Sequence, residues 1–207
     1  MIKLYGFPLS NYFNMVKMAL LEKGIDYEFV ELQTSQDESM LARSPMGKVP
    51  FIETEAGFLS ETSVILEYLD ETGGGASLLP EEPMARARVR VLMKQLELYI
   101  ELPARTCFPE AFFGGTVTDE VKETARVNLA KGVNALKRTA AFSPFVAGSE
   151  FTLADIVFNY SFGLAHAAGK RTLGLDLFGD LPAARELSDR LGERDSAKKV
   201  AEDQRAG

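Results

Sequence analysis

The feature that most constrains this chain is a change of hydrophobic period at the glycine triplet Gly73-Gly74-Gly75. Before it, short β-rich runs with alternating apolar residues are interleaved with helix-patterned stretches. After it, every apolar stripe has helical spacing and no strand pattern occurs. Such a switch predicts an α/β body followed by an all-α one. The flexible stretch Glu71 to Ala76 and the proline-flanked Leu79-Pro80-Glu81-Glu82-Pro83 mark the boundary. They give predicted domains at residues 1–78 and 86–207.

Within the first part, Ile2 to Tyr5 is predicted as a strand, and Gly6-Phe7-Pro8-Leu9-Ser10-Asn11 breaks it. Ser10 or Asn11 caps a helix with Phe13, Val16, Ala19 and Leu20 on one face, ending at Gly24. Tyr27 to Leu32 is a second strand, so the chain opens with a β-α-β unit. A polar segment and the loop Ser44-Pro45-Met46-Gly47-Lys48-Val49-Pro50 follow. Strands at Phe51 to Thr54 and Gly57 to Leu59 come next. A helix then starts near Ser60 to Thr62, with Val64, Ile65, Tyr68 and Leu69 as its buried face.

The second part shows three stripes. The first is Val89, Leu92, Met93, Leu96, Tyr99 and Ile100, which Pro103 should kink or end. The second is Val121, Ala125, Leu129, Val133 and Leu136. The third is Leu153, Ile156, Val157, Tyr160 and Leu164. Thr152-Leu153-Ala154-Asp155 has the spacing of a capping box, flanked by Phe151 and Ile156 as a hydrophobic staple. Its role is structural, and such a cap contributes about 1 kcal/mol. The charged tail from Arg190 to Gly207 is expected to fray.

Charge and composition exclude several function classes. The net charge of −7 opposes binding to a phosphate backbone, so no nucleic-acid partner is expected. No run approaches the roughly 20 apolar residues of a membrane span, and no secretory leader pattern opens the chain. Cys107 is the single cysteine and His166 the single histidine. A His/Cys metal site is therefore not expected, and a cytoplasmic location is.

Four segments then fall in order: Leu4-Tyr5-Gly6-Phe7-Pro8-Leu9-Ser10, Ser44 to Pro50, Leu59-Ser60-Glu61-Thr62-Ser63-Val64-Ile65, and Gly148 to Asp155. Together they resemble the cytosolic glutathione S-transferases, in particular their serine-type classes. The resemblance covers nearly the whole chain apart from its tail. It implies a thioredoxin-like glutathione-binding first domain, an all-α second domain contributing a pocket for an electrophile, and a homodimer. It also implies roles. Ser10 would donate its hydroxyl to the thiolate of glutathione, rather than act as a base. Glu61 and Thr62 would hold the γ-glutamyl end, with Thr62 standing where Ser is commoner. Val49 and Pro50 would form a cis junction offering backbone groups to the peptide. Lys48 would meet the glycyl carboxylate, although a loop lysine is equally a solvated charge, and Ser35, Gln36 and Arg43 lie in the same region.

The chemistry is consistent with those roles. A thiolate is the nucleophile and a free thiol has a pKa near about 8.5. Hydrogen bonding to the charged form, at a helix N-terminus, lowers it. The electrophile pocket must be apolar. Its candidates are Phe7, Leu9, Tyr12, Tyr99, Phe108 and Phe112, each of which is also an ordinary core candidate; Tyr12 is a candidate second donor beside Ser10. Arg105 is a candidate for an anionic co-substrate or a neighbouring carboxylate. Redox relatives carry Cys where Ser10 stands, and zeta-type isomerases carry Ser-Ser-Cys where this chain has Ser10-Asn11-Tyr12. The predicted function is transfer of the glutathione thiolate to a hydrophobic electrophile, as in detoxification. The alternatives are glutathione-dependent peroxidase activity or a non-catalytic binding protein.

Overall fold

The computed structural model describes residues 1–206, so Gly207, the end of the predicted second domain, lies outside the described residues. The chain forms two compact units: Met1–Leu78 together with the segment from Glu193 onward, and Leu79–Gly192.

The first unit runs β1 (Ile2–Gly6), α1 (Asn11–Lys23), β2 (Tyr27–Glu31), α2 (Glu38–Leu41), β3 (Phe51–Thr54), β4 (Gly57–Ser60) and α3 (Thr62–Thr72). The sheet order is β2-β1-β3-β4. β1 and β2 are parallel, while β3 is antiparallel to both β1 and β4. Strand alternation sends Leu4 and Ile52 to one face and Tyr5 and Phe51 to the other. α1 and α3 supply Phe13, Val16, Leu20, Ile65, Leu66 and Leu69, all fully or almost fully buried. Tyr5, Phe51, Met40 and Val49 form a separate buried cluster against which Phe7, Val30 and Leu32 pack. Val64, expected in the core, is 49% exposed and Leu66 takes its place. α1 ends at Gly24, whose φ of 62° is left-handed. Just before it, the buried Lys23 ammonium is bound by the Asp70 carboxylate at 3.1 Å and the Ala76 carbonyl at 3.1 Å, which ties α1 to the end of α3.

The tail does not fray. It forms α11 (Asp195–Ala206), which packs on α1. Among its described residues only two apolar ones, Ala197 and Val200, are buried, and ionic contacts supply the rest of its attachment, which is why hydrophobic patterning missed it. Arg194 makes two bonds to the Glu22 carboxylate, at 2.8 and 2.6 Å, and Ser196 donates to the same group. The buried Lys17 ammonium meets Asp203 at 2.6 Å. That hydrogen bond holds the Asp203 carboxyl below its ordinary value of 3.8. A carboxyl whose folded pKa is lowered stabilises the fold above its unfolded pKa, and the contribution is lost as pH falls through the folded value. Acidification below 3.8 is therefore expected to loosen α11 early. Amide exchange over Asp195–Ala206 should accelerate there before exchange in α1 does; equal protection of both helices would contradict the ionic account.

The second unit contains α4 (Pro83–Leu96), a π-helical turn (Glu97–Glu101), α5 (Leu102–Arg105), α6 (Phe108–Phe112), α7 (Asp119–Thr139), α8 (Leu153–Leu173), α9 (Leu177–Asp180) and α10 (Pro182–Gly192). Pro103 neither ends the helix nor produces a simple kink. Its ring would collide with the Tyr99 carbonyl, four residues back, and it has no N–H to offer. The π turn, in which the Leu102 N–H reaches the Glu97 carbonyl, widens the helix at that point. The Tyr99 carbonyl lies instead against α7 at Gly132, where a Cβ would come within 2.1 Å of it. The same widening shifts the apolar register, so Ile100 is buried whereas Tyr99 is 53% exposed, contrary to the simple stripe. α8 is buried on most of its circumference, through Ala154, Phe158, Phe162, Ala165 and Ala168 as well as the stripe residues Leu153, Ile156 and Val157. Tyr160 and Leu164 are only half-buried.

Candidate functional site

Strand register brings three separated segments to one end of the first unit's sheet. Tyr5 of β1 pairs with Phe51 of β3, and Phe51 pairs with Ser60 of β4. Because β3 runs opposite to its neighbours, that row is the end of β1, the start of β3 and the end of β4. The loop to Ser10 leaves from it, Val49-Pro50 enters it, and Glu61-Thr62 leaves it. No periodicity argument gives this convergence; it follows from the pairing.

Ser10 is the N-cap of α1. Its Oγ accepts the Phe13 N–H at 3.3 Å, its own N–H donates to the Phe7 carbonyl at 3.1 Å, and its carbonyl accepts the Asn14 N–H at 3.0 Å. The cap uses an oxygen lone pair, which leaves the hydroxyl proton available for an acceptor outside the helix. Gly6 permits the turn: its φ is 155°, and a Cβ there would come within 2.5 Å of the Phe13 ring.

The Val49–Pro50 bond is cis. Val49 is buried in the Tyr5–Phe51 cluster and Lys48 is exposed. The loop before them is braced by the buried Ser44, whose hydroxyl donates to the Lys48 carbonyl at 2.8 Å. Gly47 has a φ of 63°, and a Cβ on it would stand 2.0 Å from the Ser35 carbonyl oxygen. Ser35 and Gln36 are engaged in the same brace: the Ser35 N–H bonds the Gly47 carbonyl and the Gln36 amide bonds the Met46 carbonyl. Arg43 lies 5.6 Å from the Tyr5 and Phe51 ring centres.

Glu61 occupies the N-cap position of α3 with φ 70° and ψ 109°, and no side-chain cap bond is formed. Neither Ser60 nor Thr62 takes the cap position. A non-glycine residue held at such angles costs about 1–3 kcal/mol. The Glu61 carboxylate is exposed and makes no hydrogen bond or ion pair among the described residues. Thr62 is the first residue of α3 and half-buried.

The remaining candidates separate by environment. Tyr5 is 7% exposed. Burial raises its phenol pKa above the ordinary 10.0. Its hydroxyl donates to Glu53 at 2.5 Å, so its proton is committed. Phe7 packs on the buried cluster, Leu9 is 80% exposed at the loop tip, and Tyr12 is half-buried on α1. In the second unit Phe108 is buried and stands 5.0 Å from Phe112, with the Arg105 guanidinium over its ring. Arg105 is paired with the fully buried Glu101 at 2.5 Å, and Glu101 also accepts from Ser161 at 2.5 Å. Cys107 is fully buried, and burial pushes its thiol pKa up. His166 lies against the Phe178 ring, and burial lowers its pKa. Among the described residues no cluster of His, Cys, Asp and Glu is arranged to hold a metal ion. Among the described residues no helix is long and apolar enough to cross a membrane.

The chain is similar to several known proteins. Residues 4–77 match the family model of the glutathione S-transferase N-terminal domain. A glutathione S-transferase of Pseudomonas putida strain F1 is 50% identical over 206 residues, covering 100% of this chain and 94% of its own length. The crystal structure of glutathione transferase F2 from Populus trichocarpa matches with a TM-score of 0.83 at 25% identity, over 100% of both chains. A maleylacetoacetate isomerase of Methylobacterium extorquens AM1, solved with malonate and glutathione, matches with a TM-score of 0.74 at 28% identity, over 96% of this chain and 95% of that one.

Proposed function

The chain belongs to the glutathione S-transferase family, and we propose that Ser10 holds the glutathione thiolate for attack on a hydrophobic electrophile. The observation that carries this reading is the convergence of Ser10, the cis Val49–Pro50 junction and Glu61-Thr62 at one end of the sheet. Those segments supply what the tripeptide needs. Ser10 offers an uncommitted O–H to the sulfur. Val49 offers backbone groups to the cysteinyl unit. Glu61 offers an unpaired carboxylate to the α-ammonium, Thr62 a hydroxyl to the γ-glutamyl carboxylate, and Lys48 a cation to the glycyl carboxylate. The sulfur then forms a bond to the electrophilic carbon, and the leaving group departs with the electron pair of the broken bond.

The peroxidase and non-catalytic alternatives are not favoured, because the 50%-identical relative is a transferase over essentially its full length. Phe7, Leu9 and Tyr12 of the first unit, and separately Tyr99, Phe108 and Phe112 of the second, are the candidate apolar contacts for the electrophile. A panel of alkyl and aryl halides, epoxides and enones run against single alanine variants of these six tests the assignment: unchanged substrate ranking in all of them removes it. The enzyme is further read as a cytoplasmic homodimer. Sedimentation equilibrium and cell fractionation check those two points, and a monomer or a membrane-pellet signal would overturn them.

Glu61 provides a direct test of glutathione binding. Replacement by glycine relieves the unfavourable backbone angles and removes the carboxylate. Glu61→Gly is expected to leave stability equal or raise it by about 1 kcal/mol, while calorimetry shows glutathione binding weakened by roughly 10-fold or more. Unchanged binding would remove Glu61 from the site.

A further inference from the structure

The loop that presents Ser10 has little apolar anchoring at its tip, since Leu9 is 80% exposed. What fixes it is the Pro8 carbonyl. That oxygen accepts the Asn14 side-chain amide at 2.8 Å and the Gln204 side-chain amide at 3.1 Å. Asn14 lies within α1 and is almost fully buried, so it belongs to the same local unit as the loop. Gln204 comes from the last turn of α11, 196 residues away in sequence. The neighbouring Asp203 is locked to the buried Lys17, which sets the rotation of α11 and holds Gln204 opposite the Pro8 carbonyl.

We infer that Gln204 is a positioning residue for the thiolate site: by holding the Pro8 carbonyl it orients the peptide that leads to Ser10. The inference rests on the proposed role of Ser10. The carbonyl carries two lone pairs, and each amide takes one. Loss of the Gln204 donor leaves Asn14 as the remaining amide on that carbonyl and loosens the Pro8–Leu9 peptide. Ser10 stays in its helix cap, because the Phe13 N–H still binds its Oγ, but the direction of its O–H to the sulfur is no longer fixed. The C-terminal helix therefore acts on the chemistry without touching substrate.

The test uses the full-length enzyme with glutathione, and chlorodinitrobenzene as the electrophile. Gln204→Glu keeps the shape and replaces the donor by an acceptor; Gln204→Leu removes polarity altogether. Both are expected to raise the apparent pKa of the bound thiol, read from thiolate ultraviolet absorbance against pH. Both should lower kcat by roughly 5-fold, well short of the about 100-fold cost of a full ångström of misplacement. The KM for glutathione should stay nearly unchanged. Gln204→Lys restores an N–H donor and should recover most of the loss. In the Ser10→Ala background Gln204→Leu should shift the thiol pKa no further. If Ser10→Ala raises the thiol pKa but both Gln204 variants match the wild type, the positioning role falls while the Ser10 reading stands. If Ser10→Ala itself changes nothing, the Ser10 reading falls and takes this inference with it. A Gln204 variant that loses helicity in proportion to its activity, with an unshifted thiol pKa in the remaining folded fraction, would show a purely structural role.

Discussion

Ser10→Ala is expected to lower kcat for conjugation by about 100- to 1,000-fold, the usual effect of deleting one preorganised donor to an anion. The argument is electrostatic. At neutral pH a thiol with pKa near about 8.5 is only a few per cent thiolate, so the site must favour the charged form. In the proposed role Ser10 does so with an O–H that its capping bond does not use. Without it the pKa of bound glutathione drifts back toward the free value. The pH–rate profile should move to the alkaline side, and part of the lost rate should return at high pH. Affinity for the peptide should change little, because the proposal gives its carboxylates and ammonium to other residues. The variant also loses the helix cap, worth about 1 kcal/mol. Ser10→Gly separates the two effects, since glycine caps almost as well as serine yet has no hydroxyl. Equal losses of turnover in both variants identify the donor. A wild-type pH profile in Ser10→Gly would end the proposal.

How far the sequence carried can be seen residue by residue. Residues whose role is set locally were legible. Ser10 and Gly24 bound α1 as the capping and left-handed preferences of those residue types require. The four strands lie within a residue of their expected ends. Convergence of the candidate site was legible only through resemblance, since strand pairing across about 50 residues leaves no periodic trace. The positive φ of Glu61 was invisible because nothing in the residue type announces it. The π turn was missed because Pro103 announces a disturbance but not its form. Its compensation lies on α7, at Gly132. α11 was missed for a related reason. A charged helix carries a weak apolar signal, and its partners Lys17 and Glu22 sit on α1, where a buried lysine reads as surface. Asn14 and Gln204 offered no sequence signal at all, because their function depends on one backbone carbonyl.

The capping box at the start of α8 shows how structure changes a magnitude rather than an assignment. Sequence spacing gives Asp155 a local role worth about 1 kcal/mol. In the fold, Asp155 is fully buried. Its Oδ2 accepts from the Thr152 N–H at 2.8 Å and the Thr152 hydroxyl at 3.1 Å, and its Oδ1 accepts the Val146 N–H at 2.7 Å. The last bond fastens the preceding loop, whose Val146 carbonyl in turn accepts the Ala141 N–H. Asp155→Ala therefore removes the cap and strands a buried backbone donor, which alone costs about 1–3 kcal/mol. The expected loss of unfolding free energy is about 3 kcal/mol, measured in urea with the m-value unchanged. Burial is the largest influence on this carboxyl and raises its folded pKa above the ordinary 3.8. A raised value means the folded state keeps the proton longer than the unfolded chain, so the group's contribution declines as pH rises through that window. The gap between wild type and Asp155→Ala should be widest in acid and narrow toward neutrality. A loss of about 1 kcal/mol or less, independent of pH, would return Asp155 to the role of a simple local cap.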